Sequence, residues 1–326
     1  MITSTAAEIV FDRVTKRYPD RLRPAVTELS LTIPAGEICV LVGPSGGGKT
    51  TALKMVNRLI SITDGDIRID DTSVRSIHLV QLRRRIGYVI QQVGLFPHLT
   101  VGDNIAMVPK LLRWRREKIQ ARVQELLELV GLEPGDAKRY PAQLSGGQRQ
   151  RVGLARALAA DPTLMLMDEP FGAIDPVTRV RLQDEFLRLH QEVRKTVVFV
   201  THDIDEAIKM GDRIAILQEE GVLAQYGTPD EILAHPVSPF VERFVGFDRS
   251  LKRLALRRAG EVELEPVPAR PFFGPRCQAT TSLRDLLALM LADGLRDALV
   301  VDDSGLPMGM LSIERISDLL REQVTA

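Results

Sequence analysis

Eight consecutive residues, Gly43-Pro44-Ser45-Gly46-Gly47-Gly48-Lys49-Thr50, match the spacing GxxxxGK[ST]. Glycines let a backbone curl until several N–H groups face one point. A helix starting there adds partial positive charge, so the loop suits a di- or triphosphate. Lys49 would reach the β and γ phosphates and the Thr50 hydroxyl would be a ligand of Mg2+, with Thr51 next in the same turn. At average residue frequencies, chance supplies such a match in roughly one chain in a hundred of this length. The apolar run Ile38 to Val42 before it and the helical pattern Ala52 to Ile60 after it weigh further against a merely flexible turn.

Two more groups bear chemistry. Leu164-Met165-Leu166-Met167-Asp168-Glu169 is an apolar strand that ends in two carboxylates. Beside a phosphate loop, Asp168 would hold Mg2+ through its water shell and Glu169 would act as base toward the attacking water. The bland alternative is an acidic pair that caps a turn before Pro170. Leu144-Ser145-Gly146-Gly147-Gln148 is the sharper signal. Ser145 and two glycines open a helix there, with exposed N–H donors and a dipole end suited to a γ-phosphate. A simple serine N-cap would need neither the glycines nor the glutamine.

With that pentapeptide the chain resembles the ATPase subunit of an ATP-binding cassette (ABC) transporter, whose signature is LSGGQ. The resemblance implies further roles at matching positions. Tyr18, in KRYPD, would stack on adenine. Gln91, in GYVIQQ, would contact Mg2+ and the catalytic water, with Gln92 as the neighbouring alternative. Asp175, in GAID, would communicate across a dimer, although the family more often has Leu where Ile174 stands. His202, in VTHD, would contact the γ-phosphate. The cofactors implied are ATP and Mg2+. In this family the signature of one subunit closes over the nucleotide held by another, so Leu144 to Gln148 would act in trans within a homodimer.

These residues need a framework. β-rich segments at Ile9 to Val14 and Thr27 to Ile33 open the chain. Short apolar strands follow at Ile38 to Val42, Ile86 to Ile90, Leu164 to Met167, Val197 to Val200 and Arg213 to Leu217. Their alternation with helical stretches predicts a mostly parallel α/β sheet. Residues 100–161 show little β signal, and the apolar spacing at Glu117 to Val130 and Gln148 to Ala160 predicts an inserted helical subdomain. The family resemblance implies a RecA-like core with an N-terminal antiparallel β subdomain over residues 1–245.

The chain has 326 residues, 43 Lys+Arg against 43 Asp+Glu, and 44% hydrophobic residues. A core of this size needs no disulfide or metal staple, and Cys39 and Cys277 lie far apart without metal-ligand spacing. Balanced charge argues against a nucleic-acid partner. The apolar runs are too short to cross a bilayer, and no secretory signal opens the chain, so a cytoplasmic location is expected.

Past Phe240 the character changes. Phe244 to Arg258 reads as one amphipathic helix, with Phe244, Phe247, Leu251 and Leu254 on one face and Arg249, Lys252, Arg253 and Arg257 largely on another. Residues 246–275 thus form a basic helix and a proline-rich linker, and the basic face is a candidate for anionic lipid or for a solvated surface. The tail, 276–326, resembles a cystathionine-β-synthase-type (CBS) motif in SLRDLLALMLADG, ALVVDDSG and GMLSIERISDLL, present as one copy. The nucleotide-binding form has Asp where Arg315 stands, so a dimerisation tail and a regulatory module are both open.

Within the family, QVGLFPHLTVGDNIAMVPKL resembles importer cassettes, and AQYGTPDEIL and FVERFVGFDRSLKRL resemble the osmoprotectant, or quaternary-amine, branch. That implies a peripheral subunit on the cytoplasmic face of the inner membrane, with membrane permease subunits and a solute-binding protein as partners. Glycine betaine, choline, carnitine or proline betaine would be the cargo. Amino acids such as methionine, other small solutes, and a soluble ABC ATPase without a permease are the alternatives.

Overall fold

The apolar runs do become a parallel sheet. The computed structural model describes residues 6–90, 94–172, 174–267, 272 and 274–321. Gln91 and Gln92 lie outside the described residues. The chain divides into two compact units, Met1–Tyr226 and Gly227–Ala326.

In the first unit, β1 (Ile9–Lys16) and β2 (Val26–Ile33) pair antiparallel, and β3 (Ile38–Val42) leads into α1 (Lys49–Val56). Every residue of β3 is buried, which explains its unbroken apolar sequence: a strand covered on both faces has no polar side to alternate with. Next come β4 (Asp64–Ile69), β5 (Thr72–Ser73), α2 (Leu79–Arg84) and β6 (Ile86–Val89). From there to β7 the described chain is helical: α3 (Val101–Ile105), α4 (Met107–Leu111), α5 (Arg116–Leu129) and α6 (Gly146–Leu158), with two short 3-10 turns. The unit continues through β7 (Leu164–Asp168), α7 (Pro176–Val193), β8 (Thr196–Val200), α8 (Ile204–Met210), β9 (Arg213–Leu217) and β10 (Leu223–Gly227).

Two sheets result. One has the order β2-β1-β4-β5, antiparallel throughout, and the other β10-β9-β3-β8-β7-β6, in which β9, β3, β8, β7 and β6 run parallel. Helix α1 belongs to a hydrophobic cluster that draws on both, with Phe11, Leu29 and Ile67 from the first sheet and Leu41, Leu166 and Val198 from the second. Its Ala52, Leu53, Met55 and Val56 are all fully buried. Truncating Leu53 to Ala there would cost about 2–5 kcal/mol. The phosphate-loop helix is thus anchored in the core by its buried face.

The second unit opens with α9 (Pro229–Ala234), α10 (Pro239–Val245) and α11 (Arg249–Leu256). The single helix expected over Phe244 to Arg258 is therefore two. Gly246 at φ 91° ends α10, and the next helix begins after Asp248, which makes no side-chain cap bond. The expected apolar face splits with it: Leu254 is 1% exposed, whereas Phe247 is fully exposed. The basic face also divides. Lys252 is buried, donating to Val245 O at 2.9 Å and lying 3.2 Å from Asp248, while Arg253 is buried in an ion pair with Asp230 at 3.0 Å. Those two cations bind their own unit instead of facing lipid or water. The tail folds as β11 (Arg276–Gln278), α12 (Leu283–Asp293), β12 (Asp297–Val301), β13 (Pro307–Ser312) and α13 (Ile313–Arg321), with sheet order β11-β12-β13. One core binds Leu254 of α11 to Leu286, Val300, Leu311 and Ile316.

Candidate functional site

Adjacent parallel strands end at one level, and β3, β8 and β7 are neighbours. Their C-terminal tips deliver, in turn, the glycine loop with Lys49, the segment with His202, and Asp168 with Glu169. Open parallel sheets place their ligand crevices at this edge.

Two glycines of the loop sit where no side chain could. A Cβ on Gly43 would come within 2.0 Å of Leu217 O, and one on Gly48 within 2.3 Å of Ala25 O, and both residues have positive φ. Gly48 caps α1 without a side-chain hydrogen bond, and the first turn carries no acid. The N–H groups of that turn are left to a ligand, in the field of the helix N-terminus. Lys49, only 6% exposed, folds back over the loop and donates to Gly43 O and Pro44 O, both at 2.8 Å. Burial lowers its pKa, against the opposing pull of Glu169 and Asp168. Its ammonium is thus poised in a dry, acid-flanked position, where an arriving phosphate oxygen would replace neutral carbonyls.

Asp168, 8% exposed at the end of β7, accepts the Thr50 hydroxyl at 2.8 Å. Lys54 Nζ lies 4.0 Å from its other oxygen. A hydroxyl and a carboxylate side by side are hard oxygen donors of the type Mg2+ takes. No group of three or more His, Cys, Asp or Glu side chains capable of holding a metal occurs among the described residues. Burial, helped by the Asp168 charge, pushes the Tyr88 phenol on β6 up to about 12. Lys54 and Tyr88 escaped the sequence reading. Lys54 could have been found, since it stands four residues after Thr50 on the same helix face.

Glu169 and His202 meet. Asp168 pairs with Val200 in register, so the next residues emerge side by side. Glu169 has φ 45°, gives its N–H to Val200 O at 3.0 Å, and holds its Oε1 3.3 Å from His202 Nδ1. The imidazole is otherwise open, 60% exposed. A carboxylate beside a free histidine at the mouth of an anion cradle can orient a water and take its proton.

Tyr18 sits in the turn after β1, with Lys16 Nζ 5.0 Å and the Arg21 guanidinium 5.6 Å from its ring centroid. Lys16 O accepts from Ala25, the residue that abuts Gly48, so this turn leads onto the glycine loop. Asp175 caps α7 by accepting from Thr178 N at 3.0 Å, a bond that holds its carboxyl below the usual range.

The signature is built differently. Ser145 Oγ accepts from Gln148 N at 3.2 Å and Gln148 Oε1 accepts from Ser145 N at 3.0 Å, a reciprocal cap on α6. This cap gives the serine and the glutamine a structural role within the subunit. The glycines are another matter. A Cβ on Gly146 would meet nothing nearer than the Arg149 guanidinium at 4.0 Å, and one on Gly147 only ordinary contacts from 3.5 Å. This subunit does not itself require glycine there. Gln150, farther along α6, donates to Pro170 O next to Glu169 and so ties the signature helix to the strand tip.

Comparison with known proteins agrees with this construction. The ABC transporter family model matches residues 26–172. The osmoprotectant import ATP-binding protein OsmV of Salmonella typhimurium is 47% identical over 290 residues, covering 88% of this chain and 74% of that protein. The glycine betaine/carnitine/choline transport ATP-binding protein OpuCA of Bacillus subtilis is 47% identical over 305 residues, covering 94% and 78%. Among solved structures, the ATP-binding cassette MJ0796, a dimer in a post-hydrolysis state bound to ADP and Pi, is 35% identical with a TM-score of 0.59, covering 68% of this chain and 98% of that one. The expected nucleotide-binding α/β fold is the one found, and the chain belongs to the ABC transporter family as an ATP-binding subunit, an ATPase coupled to transport.

Proposed function

We propose that two copies of this chain enclose MgATP and that its hydrolysis drives uptake of a quaternary-amine osmoprotectant through a separate permease. The observation that carries the chemistry is the meeting of Lys49, Asp168, Glu169 and His202 at three neighbouring strand tips. In this reading, Gly43 to Thr51 cradle the phosphates and Tyr18 stacks on the base. Bound Mg2+ neutralises phosphate charge. Thr50 and Asp168 would hold it, with Gln91 completing its surroundings. Glu169 accepts the proton of the attacking water and His202 steadies the γ-phosphate.

The bare glycines favour the two-copy arrangement. Beside the Ser145 cap, Gly146 and Gly147 leave space at the N-terminus of α6 among the described residues, and a partner's nucleotide would fill it. Asp175 would then lie along the partner. Membrane permease subunits and a solute-binding protein complete the assembly, and the chain would sit peripherally on the inner face of the membrane. No helix among the described residues is long and apolar enough to cross one.

Cargo is inferred from the relatives named for osmoprotectant, glycine betaine, carnitine and choline transport. Uptake of labelled glycine betaine in a strain lacking this gene, with and without restored expression, tests it. Uptake that stays normal in the deletion strain overturns the cargo reading, and failure to co-purify with membranes favours a soluble ABC ATPase.

For the tail we favour a CBS-like pairing module over a ribose-binding one. Ser312 Oγ donates to Glu265 at 3.1 Å and accepts from Arg315 N, and Arg315 lies 3.5 Å from Glu263. These bonds of Ser312 and Arg315 within the chain support that preference.

A further inference from the structure

The turn that carries His202 runs directly into a helix whose first turn holds a buried acid. Glu206, in the first turn of α8, is 9% exposed. Its backbone N–H donates to Asp203 Oδ1 at 3.2 Å, and the nearby Thr201 hydroxyl favours its charged form. Thr201 Oγ1 also accepts the Asp203 N–H at 3.1 Å, which closes the turn around the histidine. The same carboxylate accepts from Gln183 Nε2 of α7 at 2.9 Å, and Gln183 is itself 4% exposed. Four residues earlier on α7, Arg179 grips Ile174 O at 3.1 Å, and its charge acts on Glu206. Farther along, Lys209 of α8 pairs with Asp184 of α7 at 2.7 Å.

Burying an ionisable group is costly unless its hydrogen bonds are made, and apolar packing would fasten α7 to α8 at least as well. Burial does push the Glu206 carboxyl upward in pKa, partly offset by the Thr201 and Gln183 bonds. What an apolar pair cannot supply is direction. The carboxylate ties the first turn of α8, which donates to the Asp203 cap beside His202, to Gln183 of α7, the helix that follows the loop carrying Ile174 and Asp175.

We propose that Glu206 is a positioning residue for ATP hydrolysis, holding His202 in place and joining its loop through Gln183 to the Asp175 loop. The proposal rests on the nucleotide-site reading above. Steady-state ATP turnover and thermal melting of the full-length chain, measured for wild type, Glu206→Ala, Glu206→Gln, His202→Ala and the Glu206→Ala/His202→Ala pair, test it. Glu206→Ala should lower kcat roughly tenfold, the scale of a displaced catalytic group, with KM for ATP changed by less than about twofold. Glu206→Gln keeps an oxygen for Gln183 and should recover most of that loss. In the double variant the second substitution should add nothing, because both act at one place.

An unchanged kcat in Glu206→Ala beside a slowed His202→Ala overturns the proposal alone, as do fully additive losses in the pair. Normal turnover of His202→Ala contradicts the site reading and takes the proposal with it. Should Glu206→Ala melt below the assay temperature, Gln183→Ala serves in its place. It should lower kcat severalfold at constant KM, and an unchanged kcat there counts against the proposal.

Discussion

His202 Nδ1 lies 3.3 Å from Glu169 Oε1, although the two residues are a strand, a helix and a loop apart in sequence. The contact follows from the register of β7 against β8, where Asp168 faces Val200, and from the left-handed turn of Glu169 at φ 45°. A glutamate in that region carries backbone strain on the order of 1 kcal/mol, which the N–H bond to Val200 O offsets. That left-handed turn sets the carboxylate beside His202.

Replacing Glu169 by Gln keeps its size and removes its charge and basicity. ATP affinity should stay within a few-fold of wild type while turnover falls by about a hundredfold or more, as expected on loss of a general base. Nucleotide-binding fluorescence and phosphate release check the two halves separately. Near-normal turnover would remove Glu169 from the role of base.

Gly146→Ala separates folding from function. The added methyl has room within the subunit, and alanine is the better helix former by up to about 1 kcal/mol. Melting temperature should hold or rise while ATP turnover falls at least roughly tenfold, because the methyl group blocks what approaches from outside. A variant with full activity would show that nothing docks on this helix end.

Thr50 and Asp168 share a hydrogen bond of 2.8 Å where a hard cation would sit. Thr50→Val and Asp168→Asn should each raise the Mg2+ concentration required for half-maximal turnover by roughly tenfold or more, the effect of losing one oxygen ligand or its orienting partner. Chelation should abolish turnover in the wild type. Magnesium titrations identical for variants and wild type would displace the metal from this pair.

Arg253 and Arg249 lie one turn apart on α11 but have different jobs. Arg253 is buried against a half-exposed Asp230, so Arg253→Gln should destabilise the unit formed by residues 227–326 by about 1 kcal/mol. Arg249 lies 3.6 Å from an exposed Glu242, and Arg249→Gln should change stability by less than about 0.5 kcal/mol. Urea unfolding of both variants measures the contrast. Equal losses would mean that burial does not distinguish the two cations.

Much of this was legible beforehand because a parallel strand buried on both faces must be written in apolar letters. Ile38–Val42 and Arg213–Leu217 are found at the residues their sequence predicts. The strands that carry no such run were hidden. β4 reads DGDIRI with one fully buried residue, and β11 is three residues with only Cys277 buried. Helical spacing across Phe244 to Leu254 concealed the break at Gly246, since periodicity continues through a residue whose φ is positive. At the site, the loop motifs announced themselves by type and spacing. Glu206 and Gln183 did not, for they are single polar residues 23 positions apart that only the packing of α7 on α8 brings together.

The central claim is that each catalytic site is completed by a second copy. Specific ATPase activity of the purified full-length chain, measured across a wide range of protein concentration at saturating ATP and Mg2+, tests it most directly. The account predicts activity per molecule that climbs with concentration and then levels as dimers saturate, with Gly146→Ala flat and low throughout. Activity per molecule that stays constant while the chain is shown to be monomeric would contradict it.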